Sequence, residues 1–139
     1  MPARLADWPD RFERLLQRME RAEFDWGWAD CFTWACKFAN ELTDPSPPRY
    51  GDQFLGQYRT RLGALRILQR YSMRDIGDIA FGHRIPPLCA QRGDIALVPA
   101  GDGQHAFAVV DHERCLGPST TGGLAVVPLS EALVAWRIG

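Results

Sequence analysis

The chain has little histidine, three residues in 139, and none of its four cysteines stands in a Cys-x-x-Cys pair. Zinc and iron–sulfur sites therefore lose their usual spacing support, and neither a metal nor an organic cofactor is expected. Charge of one sign is also missing. The net charge is −1, which leaves no basic footprint for nucleic acid or an anionic membrane. No apolar run approaches the roughly 18 residues that a membrane span needs. The first residues, Met-Pro-Ala-Arg-Leu-Ala-Asp-Trp-Pro-Asp, lack the apolar core of a signal peptide. The protein is therefore expected to stay in the cytoplasm that makes it, or to leave by another route. There is no internal repeat and no low-complexity stretch.

What is present is ordinary in bulk: 46% hydrophobic and 24% charged residues, in a length that suits one domain over residues 1–139. Five tryptophans are the exception. Pro9 opens a helix in which Phe12, Leu15, Leu16 and Met19 recur at helical spacing, ending near Arg21. Asp30 caps a second helix, from Cys31 to about Leu42, whose apolar residues nearly encircle it. It reads as the buried central helix. Residues 43–51 form a Pro-rich loop, and helices are expected at about 58–70 and from Ser72 to Gly82.

After the extended Ile85-Pro86-Pro87, the chain turns from helical to stranded. Asp94–Val98 and His105–Val110 read as a hairpin, followed by strands at 114–116, 124–127 and 135–138 and a helical turn at 130–134. Helices first and antiparallel strands second predict an α+β fold, with a sheet of four or five strands.

Chemistry concentrates at Phe24-Asp25-Trp26-Gly27-Trp28-Ala29-Asp30-Cys31. A cysteine directly after a capping aspartate sits in the first turn of a helix, where the dipole favours a thiolate nucleophile. His105 opens a strand and supplies a base, completing a Cys–His pair. Asp111, with His112 beside it, is the candidate orienting group, and Trp26, Trp28 and Phe24 are candidate substrate-binding walls. The remaining cysteines are expected to be buried small hydrophobes.

These residues resemble the NlpC/P60 cell-wall peptidases, whose aromatic-x-Trp-Gly run leads into Asp-Cys at the start of a buried helix. Arg92-Gly93-Asp94-Ile95 resembles the Pro-Gly-Asp-Leu that opens that family's first core strand. His105-Ala106-Phe107-Ala108-Val109-Val110 resembles its His-Val-Gly-Ile-Tyr strand. A closer likeness is to small phage and prophage members of DUF6950 type. It is carried by Trp8, Trp26 to Cys31, Gly63-Ala64-Leu65-Arg66, Ile85-Pro86-Pro87, Gln91 to Asp94 and Pro128-Leu129…Ala135-Trp136-Arg137.

The resemblance implies a papain-like NlpC/P60-type fold. It also implies a cysteine peptidase acting on peptidoglycan stem peptides, placed at the phage tail tip among other tail-tip and hub proteins, with the host cytoplasm as its place of assembly. Docking surfaces are expected at the Pro-rich loop 44–51 and the C-terminal Ala-Trp-Arg-Ile-Gly. Three departures bear on activity. Phe24 stands where the family has Tyr, Phe32-Thr33 where it has Ser-Gly, and no polar residue stands at 116–118, where the third catalytic group belongs. The alternative is a degenerate tail-tip structural protein that kept the fold without the activity.

Overall fold

A computed structural model describes residues 2–139. Among these residues, four α-helices precede the whole sheet: α1 (Trp8–Arg21), α2 (Cys31–Glu41), α3 (Arg61–Leu68) and α4 (Met73–Phe81). Six strands follow: β1 (Arg84–Ile85), β2 (Ile95–Pro99), β3 (His105–Asp111), β4 (Arg114–Pro118), β5 (Leu124–Pro128) and β6 (Val134–Trp136). They form one antiparallel sheet in the order β1-β6-β2-β3-β4-β5. The α+β class is as the sequence predicts, with six strands in place of four or five. The unforeseen strand is β1. Two residues are too few to show a period of two, and β1 exists by pairing Arg84 with Trp136 and Ile85 with Ala135.

The central hairpin pairs Ile95 with Val109, Leu97 with Phe107 and Pro99 with His105. Alternation sends Ile95, Leu97, Phe107 and Val109 to the face covered by α2, where they join Leu116 and Trp136 in the main core. Their neighbours Ala96, Val98, Ala108 and Val110 face the other way and join Cys115 and Leu129 in a smaller cluster. Helix α1 lays Phe12, Leu15, Leu16 and Met19 on this core, with the Phe12 and Phe38 rings 5.1 Å apart.

Two features bear on the sequence reading. Trp136, read either as a docking contact or as a residue that closes the core, does the second: it is fully buried, donates its indole N–H to Asp78 at 3.0 Å and lies near Phe81 and Phe107. A Cβ on Gly77 would lie 2.0 Å from its ring, so α4 approaches β6 only through glycine. Ile138 is buried as well, so the C-terminus closes the core. Cys89 is a correction: it is exposed, whereas Cys36 and Cys115 are buried.

Asp94 ties the chain ends to the sheet. One oxygen accepts from Arg4 and from the Ile138 amide, both at 2.9 Å, and the other accepts from the Gln91 amide at 2.8 Å. The Arg92-Gly93-Asp94 run is thus a strand entrance. No helix among the described residues is long and apolar enough to cross a membrane.

Candidate active site

The Asp30 carboxylate builds the start of α2. The Thr33 amide donates to it at 2.8 Å, while the Asp30 amide donates to the Thr33 hydroxyl at 2.9 Å, a reciprocal capping box. Its second oxygen takes the Gly27 amide at 2.9 Å and the Tyr58 hydroxyl at 2.6 Å. Gly27 has φ 82°, and a Cβ there would lie 2.3 Å from the Tyr58 carbonyl oxygen. The spacing Trp-Gly-x-x-Asp-Cys therefore has a local cause. Glycine lets the 58–59 segment close over the loop, aspartate clamps it, and cysteine becomes the first helical residue.

Cys31 and His105 line one cavity of about 350 Å³ between α2, α3 and the sheet. They share it because β3 packs against α2. The Phe107 backbone lies near enough to the Cys31 sulfur to act on its pKa, and His105 lies two residues earlier on the same face of β3. Phe107 is buried against Phe32, with ring centroids 5.5 Å apart, while His105 at the strand end is exposed.

The thiol is not the resting thiolate that its helix position predicts. Burial pushes its pKa up, the amides of Phe107, Phe32 and Cys31 itself act against this, and the Asp30 carboxylate adds to the rise; the net value is about 11. The dipole argument omits the cost of removing sulfur from water and the charge of the capping residue next door. Tyr58 is likewise held neutral. Burial, then the Asp30 charge and the hydrogen bond to it, push its phenol well above the ordinary range.

The other sequence candidates divide. Trp26 lines the cavity. Phe24 backs it edge-on at 4.9 Å and does not reach the cavity itself. Trp28 does not join them: it is 55% exposed, lies along a separate groove, and has the Arg59 guanidinium 5.2 Å from its ring. Asp111 does not join them either. It ends β3 six residues beyond His105, roughly 20 Å along an extended strand. There it is held by Arg92 and Arg114, each at 3.0 Å. His112, at φ 59°, is the exposed tip of the turn into β4.

Among the described residues, no carboxylate from β4 lines the cavity with His105; Gln104 is its polar neighbour there. No cluster of three metal-ligating side chains occurs among them. Tyr58 is the site residue that the sequence reading missed. Its loop has no motif, and only the glycine at position 27 hinted that another segment must come close.

No curated protein matches the chain. Residues 3–138 match the family DUF6950, described as a domain of unknown function. The match runs over nearly all of the structure just described, cavity included, and the chain belongs to the DUF6950 family.

Proposed function

We propose that the protein is a cysteine amide hydrolase of the papain-like NlpC/P60 type, carried at a phage tail tip. The bond that the resemblance implies is an amide of a peptidoglycan stem peptide. The observation that supports this reading is that Cys31 and His105 line one cavity, although they are far apart in the chain.

The raised thiol pKa sets the order of events. Cys31 rests as a thiol, so His105 acts as general base once substrate displaces water from the cavity. The sulfur bonds to the carbonyl carbon, and the Cys31 amide at the start of α2 is the donor for the developing oxyanion. The C–N bond then breaks, and His105 passes the proton it took to the leaving amine. Water splits the thioester: its hydroxyl goes to the acyl carbon, and its proton returns to sulfur through His105.

A second reading, a tail-tip structural protein that retains the fold, is favoured by the same raised pKa and by β4, which among the described residues brings no carboxylate to the cavity that His105 lines. Incubation with purified muropeptides separates the two. The hydrolase reading predicts new free amino groups with the native protein and at least a thousandfold less with Cys31→Ala. No release of any amine from pH 7 to 9, with the thiol kept reduced, would support the structural reading.

A further inference from the structure

The cavity beside Cys31 does not look like a seat for a polar peptide. Apolar side chains supply most of its wall, among them Trp26, Phe54, Leu65, Leu68, Met73 and Ile76. Its charged residues are Asp30, whose carboxylate is already taken by Tyr58, Thr33 and Gly27, and Arg61 at the start of α3. An ammonium group carried inside would find the Asp30 carboxylate already taken, and a carboxylate would find a partner only at Arg61, while the apolar wall offers neither one anything in return for leaving water.

One wall is formed by α3. This eight-residue helix is capped by Thr60, which accepts from the Gly63 amide at 3.0 Å. It has no fully buried residue, and it presents Leu65 and Leu68 to the cavity while both stay about 40% exposed. Leucines so placed gain burial when an apolar group lies against them. At about 350 Å³ the cavity falls within the range of small-molecule sites, and the nucleophile stands in its wall.

We propose that this cavity is an acyl pocket: the bond opened by Cys31 is an amide or ester whose acyl group is an aliphatic chain of medium length. The proposal rests on Cys31 and His105 as the reacting pair and puts an aliphatic acyl group in place of the stem peptide that the resemblance implies. The small and charged side chains of a stem peptide would leave the aliphatic wall uncovered, whereas a hydrocarbon chain covers it. The covalent step is the one already written, with the acyl carbon at sulfur, the chain along α3 and the amine leaving toward solvent.

Two measurements test it. In the first, calorimetry follows butyramide, hexanamide and octanamide binding to the Cys31→Ala protein, which needs no turnover. Affinity should rise about threefold to fourfold per methylene until the cavity is filled. Affinity that is flat along the series overturns the acyl pocket. In the second, hydrolysis of acetyl, butyryl, hexanoyl and octanoyl p-nitroanilides is followed by release of p-nitroaniline from the native protein. The expected kcat/KM climbs along the series by a similar factor and depends on Cys31. Ala64→Phe, which places bulk in the cavity wall, should move the best substrate to a shorter chain, with its fold checked by circular dichroism.

The outcomes separate the two ideas. Chain-length-dependent binding without Cys31-dependent turnover upholds the pocket and removes the hydrolase. Cys31-dependent turnover that ignores chain length, or that favours muropeptides over octanoyl amides, upholds the hydrolase and overturns the pocket.

Discussion

The two ends of β3 differ in what their polar groups touch. At the Asp111 end, the carboxylate is held by Arg92 and Arg114, and Arg92 reaches on to Glu13. Asp94, at the neighbouring strand entrance, is satisfied by Arg4 and two backbone amides. At the His105 end, an exposed imidazole and a desolvated thiol share a largely apolar cavity, and neither is bound into an ion pair among the described residues. Paired groups hold elements in register. Unpaired titratable groups facing a cavity cost stability and are free to meet a substrate. The same strand thus carries structure at one end and candidate chemistry at the other.

Breaking the paired end should have the largest effect on stability. Asp94→Ala removes the counter-charge of Arg4, which keeps only its bonds to the Ile138 and Arg92 carbonyls, and leaves two amides unpaired in a mostly buried setting, so a loss of about 3 kcal/mol is expected. Urea unfolding followed by tryptophan fluorescence measures it. A loss below about 1 kcal/mol would mean that the chain ends are held by the burial of Trp136 and Ile138 alone.

The cavity end should show itself in alkali. Cys31 keeps its proton to about pH 11 in the folded state, whereas an unfolded cysteine releases it near 8.5 to 9. Between those values the unfolded chain binds fewer protons, so stability falls as pH rises. The Cys31 share is roughly 2 kcal/mol by pH 11. Cys115, also pushed up to about 11 by burial behind the sheet, adds a similar slope, so Cys31→Ala should flatten the curve only in part. Urea midpoints from pH 8 to 10.5 that decline equally with and without Cys31 would place its thiol in a watery setting.

Local rules made parts of the site legible. A capping aspartate followed by an encircling apolar run can only open a buried helix, and Cys31 is its first residue. The alternation in Ile95–Val98 and Phe107–Val110 fixes which face meets that helix. Tyr58 was not legible, because its bond to Asp30 spans 28 positions and belongs to a loop without a pattern. Nor was the acidity of Cys31, which follows from burial and a neighbouring charge rather than from helix position. Asp111 lies on the strand of His105, but six positions along it, and so outside the neighbourhood of the cavity. The match to DUF6950 fixes kinship across residues 3–138, and the chemistry stays a matter of geometry.

The most direct test of the central claim is to trap the acyl group on the protein. Native protein, His105→Ala and Asp111→Asn are each mixed with octanoyl p-nitroanilide, quenched in acid within seconds and digested for mass spectrometry. A thioester on Cys31 is expected in the native protein and in Asp111→Asn at comparable yield, and at least a hundredfold less in His105→Ala. Acylation confined to the exposed Cys89, or equal labelling of Cys31 with and without His105, would contradict the pairing of Cys31 and His105 in one cavity.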